Sequence, residues 1–191
     1  IIMLNLYKLI EILVSLQSLV ITTMLPVYIP LQFINKSINT FEIPITWQIP
    51  TIILLTLIFQ KEVVLKAFFI YIFLGLFIAP VFHQGGSIGY LLTPNFGYLL
   101  GLYPLIKIID KLNTKNKINS GNFLINGFIA ICALHLTGIF YNFIQIIFFS
   151  QFNIFLYNLG KYSLGKIGYH FLMLFPLLLI IKPIKHFKKS K

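Results

Sequence analysis

The sequence contains no arginine. That removes the planar guanidinium, and with it the bidentate clamp for carboxylate or phosphate. Any anion site has to be built from lysine, amides, hydroxyls or helix N-termini. Acids are almost as scarce: Glu11, Glu42, Glu62 and Asp110 are the whole set. An intramembrane hydrolase or a proton pump wants ionisable groups at mid-depth. These four acids fall near expected helix ends or in a loop. The single cysteine, Cys132, excludes an internal disulfide and a cysteine zinc cluster. It reads as a small buried apolar residue. The four histidines are scattered, and none stands with Glu at metalloprotease spacing. No G-x-x-x-x-G-K-[ST] phosphate loop is present. No catalytic residue, metal or cofactor is assigned.

Apolar residues fill the space. Of 191 residues, 58% are hydrophobic, 16% aromatic and 10% charged. A soluble domain averages roughly 25% charged residues. A soluble core of this size cannot hide so much Phe, Ile and Leu. The chain therefore reads as a polytopic, single integral membrane domain over residues 1–191, placed in the cell membrane. The net charge of +11 comes from lysine alone. In such a chain lysines mark cytoplasmic loops and lipid headgroups rather than nucleic acid. No small-residue cleavage site follows the first apolar stretch, so no signal peptide is expected.

A spanning helix needs about 20 apolar residues. The pattern predicts six: about Leu6 to Ile29, Trp47 to Phe59, Val63 to Ala79, Phe96 to Ile109, Phe123 to Ile147 and Ile167 to Ile184. The uncharged run from Ala67 to Ile106 is 40 residues, too long for one helix. Pro80, Gly85, Gly86 and Pro94 put its turn between the third and fourth spans. With the N-terminus inside, inner segments carry twelve lysines (Lys8, Lys61, Lys66, Lys107, Lys111, Lys115, Lys117, Lys182, Lys185, Lys188, Lys189 and Lys191). Outer segments carry three: Lys36, Lys161 and Lys166. That bias predicts an N-in, C-in, six-helix all-α membrane protein. "KLNTKNKINSGN" (Lys111 to Asn122) becomes a cytoplasmic loop between halves of three helices, with no convincing internal repeat.

Two stretches break the apolar pattern on the expected outer side. In "HQGGSIGYLLTPNFGYLLG" (His83 to Gly101), Gly85 and Gly86 permit positive φ and close backbone approach. Asn95 follows Pro94 and is placed to cap a helix. Gly97 and Gly101 make a small-xxx-small pattern for close helix packing. The stretch lines a ligand cavity, or it is a compact loop that only closes the bundle. In "FEIPITWQIPT" (Phe41 to Thr51), Pro44 and Pro50 bracket Thr46, Trp47 and Gln48. Trp47 is an interfacial anchor by default, while Thr46 and Gln48 offer polar groups to the same side. His135 in "ALHLTG" is the best mid-depth polar residue, read as an interhelical hydrogen bond or a ligand contact.

Together these elements resemble the BioY family, the biotin-binding S components of energy-coupling factor (ECF) transporters. The family's Pro-hydrophobic-Thr-hydrophobic-Gln motif before helix two is here "IPITWQ". Its Pro-Val-Phe, Gly-Gly loop and Gly-Pro-Thr-Gly-Gly-Tyr-Leu segment are here "PVFHQGGSIGYLLTPNFGYLLG". "LHLTG" is similar to its Gly-containing fifth helix. Order and spacing match from about Ile43 to Gly101, and the last third departs. The family commonly has Pro-Gly-Asp-x-x-Lys before helix six. Here "LGKIGYHF" puts Gly165 on the motif Gly, Lys166 on the Asp and Tyr169 on the Lys. Lys182 is the other placement for that Lys, but lies at the expected inner face.

The resemblance implies an S-component-like bundle that captures biotin at the outer face without catalysis. A transmembrane partner and ATPases supply the energy. It also implies roles. Asn95, Gln48 and Tyr98 serve the ureido end of biotin. Lys166 pairs with the carboxylate, assisted by Tyr169 or His170. Trp47 and Tyr90 pack on the rings, and Gly85 and Gly86 form the covering loop. Ser18 and Thr22 stand where the family has its small-residue docking motif for the partner. Three rivals stay open: an S component for another small vitamin, an intramembrane enzyme built around His83 or His135, and a structural membrane subunit without ligand.

Overall fold

The computed structural model describes residues 2–34, 37–83, 85–114, 119–149 and 152–180. Lys36, Lys115, Lys117 and the lysines from Lys182 onward lie outside the described residues, as does the end of the sixth expected span.

Helix α1 runs from Ile2 to Met24. Ser15, Leu19 and Thr23, four apart, give it a fully buried face, while Leu13, Val14 and Ile21 are exposed. Helix α1 stops short of the expected Ile29 because Pro26 cannot supply the next N–H and its ring clashes with the preceding turn. The chain instead forms an antiparallel hairpin, β1 (Pro26–Ile34) and β2 (Ser37–Thr46). Val27 pairs with Ile43, and both are buried; Tyr28 pairs with Glu42, and both are exposed. That is the period of two of a half-buried ribbon. The all-α expectation is thus corrected: the protein is mostly helical and, among the described residues, carries a hairpin where the first outer loop was expected.

Helices α2 (Gln48–Ile58) and α3 (Lys61–Phe77) follow, close to the expected spans. A connection with a 3₁₀ turn at Ile88–Leu92 leads to α4 (Pro94–Leu100). The fourth span is broken at Gly101, and α5 (Leu102–Thr114) completes it. Helix α6 spans Ser120–Phe149. The last helical segment starts far earlier than the expected Ile167. It runs through α7 (Phe152–Asn158), a π-helical stretch (Leu159–Leu164) and α8 (Gly165–Leu172), and continues to Ile180. Lys161 and Lys166 therefore sit on this helix rather than in a loop before it. The chain around them keeps apolar residues at helical spacing, and its glycines break nothing because the backbone stays helical there.

Leu6–Met24, Ser120–Phe148 and Phe152–Ile180 are long and apolar enough to cross a membrane; Gln48–Ile58 is a shorter apolar helix. Between helices in lipid there is little hydrophobic drive, so close van der Waals contact has to hold them. The small residues show where this happens. A Cβ on Gly97 would lie 2.4 Å from the Tyr141 side chain, and one on Gly101 2.6 Å from the Leu134 carbonyl oxygen. Across the same seam, a Cβ on Gly138 would lie 2.4 Å from the Tyr98 ring. The α4–α6 pair is therefore cut for glycine on both sides. Phe68, Tyr71, Phe82 and Phe123 fill the main core. A second, small cluster joins Val27, Ile43 and Ile45 of the hairpin to Met173 and Tyr169.

Candidate functional site

The ends of α1, α2, α3 and α4, the hairpin and the last helix enclose a cavity of about 440 Å³. Small-ligand pockets span about 300–1,000 Å³ and combine apolar walls with a few placed polar groups. Strand β2 covers it with Ile43, Pro44, Ile45 and Thr46, with Glu42 at the edge. Ile49, Phe82, Leu99, Leu102 and Leu134 supply apolar wall.

Three polar sets line the rest. In the first, the Tyr71 hydroxyl lies 3.0 Å from Thr23 Oγ1 and accepts from Gln48 Nε2 at 3.3 Å. It also lies 3.3 Å from the Val81 carbonyl. Alternation of buried positions on α3 (Val64, Ala67, Phe68, Tyr71, Gly75) delivers this hydroxyl to the cavity. In the second, Tyr90 donates to the His83 carbonyl at 3.1 Å and bonds to the Asn95 side chain. Burial pushes the Tyr90 phenol up to about 12, so it stays a neutral donor. His83 keeps an exposed face at the cavity mouth. Desolvation of its ring, then the charge of Lys166, hold it below the ordinary 6.5, against a bond to the Thr23 backbone.

The third set starts at the wall with Tyr98, runs behind it and returns at His170. Tyr98 Oη lies 2.7 Å from Ser163 Oγ, which lies 3.3 Å from His135 Nδ1. His135 Nε2 then lies 3.0 Å from His170 Nδ1. Buried polar groups are expensive unless paired, and this chain pairs four of them across α4, α6 and the last helix.

The cavity carries two lysines against one acid, Glu42 on the hairpin. Lys161 and Lys166 both line it. Each ammonium lies 5.3 Å from the centroid of the Tyr162 ring. Among the described residues no carboxylate reaches ion-pair distance of either lysine; Lys61, by contrast, pairs with Glu62 and Asp110. Glu42 is held by the Tyr28 hydroxyl at 3.3 Å. A small molecule with an apolar body, hydrogen-bonding groups at one end and an anion at the other matches these walls. Among the described residues no group of three metal-ligating side chains occurs.

The structure brings Gln48, Tyr90, Asn95, Tyr98, Lys166 and His170 together at the cavity. It does not bring Trp47, Gly85, Gly86 or Tyr169 there. Trp47 caps α2, is 37% exposed, and bonds through its backbone N–H to the Leu25 carbonyl. Gly85 takes φ 143°, and Gly86 lies so near Pro80 that a Cβ would be 2.6 Å from its Cα. Both shape the turn that seats Phe82. Tyr169 packs under the hairpin. Ser18 and Thr22 lie on α1, each bonding the carbonyl four residues back, at 2.8 and 2.6 Å. The residues that sequence reading missed are Thr23, Tyr71, Lys161, Tyr162 and Ser163. Tyr71 has a signal, a lone hydroxyl on the buried stripe of α3; Lys161 and Tyr162 have none, since only the π stretch turns them inward.

Comparison with known proteins now has a geometry to meet. The model of the BioY family matches residues 5–175. A crystal structure of the S-component for biotin from an ECF-type ABC transporter aligns with TM-score 0.65 and 18% identity. The alignment covers 97% of this chain and 92% of that one, and shows a shared fold. Comparison with curated proteins gives no match.

Proposed function

The chain belongs to the BioY family, and from that premise we propose that it is the biotin-capturing S component of an ECF transporter. The observation that carries the reading is the cavity itself: apolar walls, amide and hydroxyl groups, and two lysines that no carboxylate among the described residues pairs with. Gln48, Asn95 and Tyr98 take the ureido ring. Tyr90 packs on the bicyclic body. Lys166 takes the carboxylate, with His170 beside it. The subunit binds and releases; partner ATPases supply energy through a transmembrane partner that docks on Ser18 and Thr22.

The proposed topology has six crossings with both termini inside and the cavity facing out. Lysine placement supports it. Lys61 and Lys66 precede Tyr71 on α3, and Lys107 and Lys111 follow Leu102 on α5. At 1.5 Å per residue the Lys61–Asp110 ion pair sits about 12–15 Å along the helices from the cavity-lining residues. The basic end is then cytoplasmic and the cavity end external.

Lys166 stands where the family carries an acid, which favours one second reading: another small anionic vitamin. Binding of labelled biotin by the purified protein separates the two. Saturable binding is expected, and Lys166→Gln should weaken it by about tenfold or more, the scale of one lost hydrogen bond to a charged group. No saturable binding below about micromolar overturns the biotin reading.

A further inference from the structure

Lys161 and Lys166 are five residues apart. On a regular α-helix that separation turns side chains about 140° away from each other, so one would face the cavity and the other lipid. Here both line the cavity, and both approach the Tyr162 ring equally, at 5.3 Å. The cause lies between them. Leu159–Leu164 is π-helical, and the Gly165 N–H bonds to the Gly160 carbonyl five residues back. Widening the helix in this way stacks residues that are five apart.

The wide turn is pinned from the side. Ser163, near its C-terminal end, is 2% exposed. Its hydroxyl joins Tyr98 of α4 at 2.7 Å and His135 of α6 at 3.3 Å. Gly165 leaves room for the bond, since a Cβ there would already sit 3.0 Å from the Gly160 oxygen. Two independent features thus bear on one outcome, a helix that is locally wide and is held wide.

We infer that the π turn is the device that builds the anion pole of the cavity, with Lys161 a second carboxylate-recognising residue and Ser163 and His135 its positioning residues. This inference rests on the biotin reading. Lys166, half-buried, meets the carboxylate within the cavity. Lys161, exposed at the mouth, adds a second positive charge along the approach. The pole makes the site selective for the free acid of the ligand over a neutral ester of the same body.

The test compares biotin with biotin methyl ester on the purified full chain. Wild type should prefer the acid. Lys161→Gln should cut the acid-to-ester preference by about two- to fivefold, mostly through weaker binding of the acid, and be rescued by Lys161→Arg. Ser163→Ala should cut the same ratio with Lys161 still present, which a merely structural role would not do. Deleting Gly160, which returns the turn to α-helical pitch, should do likewise. Where that deletion fails to fold, the Lys161→Gln and Ser163→Ala ratios decide. Unchanged ratios in folded variants overturn the inference while biotin binding stands. Equal affinity of wild type for acid and ester does the same. Binding of neither ligand overturns the biotin reading and the inference with it.

Discussion

His135 and His170 face each other nitrogen to nitrogen, Nε2 to Nδ1, at 3.0 Å. A neutral imidazole has one donor and one acceptor, so the contact works only if one ring donates and the other accepts. Both rings are buried. His135 therefore fastens two things, the Ser163 hydroxyl on one nitrogen and α8 on the other.

His135→Ala should destabilise the protein by about 1–3 kcal/mol, the cost of leaving a buried partner unsatisfied. Thermal unfolding in detergent reads this directly. An unchanged transition would show that the pair holds nothing.

Glycine at the α4–α6 seam is expected to be irreplaceable. Gly138→Val drives a side chain into the Tyr98 ring, where a Cβ already comes to 2.4 Å. Overpacking of this kind costs about 1–3 kcal/mol, and displacing Tyr98 should weaken biotin binding as well. Gly168→Ala is the control, with nothing within 4 Å of the added carbon. Equal melting temperatures for the two variants would contradict the seam.

Acid should loosen the cavity mouth through His83. Its folded value is depressed below 6.5. The unfolded chain then binds the proton more readily, so the stabilisation is present above pH 6.5 and is lost as pH falls through the folded value. The melting temperature of wild type should drop on acidification below that point by more than that of His83→Gln. Parallel curves would exclude the effect.

Docking makes a separate prediction. Ser18→Leu and Thr22→Leu replace small groups on α1 with bulky ones. If the transmembrane partner packs there, the double variant should bind biotin normally yet fail to co-purify with the transporter and fail to support uptake. Co-purification at wild-type yield would remove this face from the interface.

Much of this fold is legible in the residues themselves. The turn between the third and fourth spans follows from Gly85, Gly86 and Pro94, and close packing from Gly97 and Gly101. Those features are local: a residue type dictates the backbone wherever it stands. What the sequence hid is relational. The hairpin replaces a loop because Val27 and Ile43 meet at a distance, and apolar residues running on past Met24 imitate more helix. The π stretch has no compositional mark at all. Read at α-helical pitch, Lys161 and Lys166 point apart, so no count of lysines could pair them.

Tyr71 carries a last consequence. Thr23 has one hydroxyl proton and sits 2.7 Å from the Leu19 carbonyl. Tyr71 has one proton too, and lies within reach of Thr23 and of the Val81 carbonyl. Two protons therefore serve three contacts. If Thr23 donates to Leu19 and Tyr71 donates to Val81, no proton is left between the two hydroxyls; for their contact to be a hydrogen bond, one of the two carbonyls gives up its donor. The end of α1 and the strand of chain beneath His83 thus draw on one currency of protons, and a ligand that competes for the Gln48 amide perturbs the division between them.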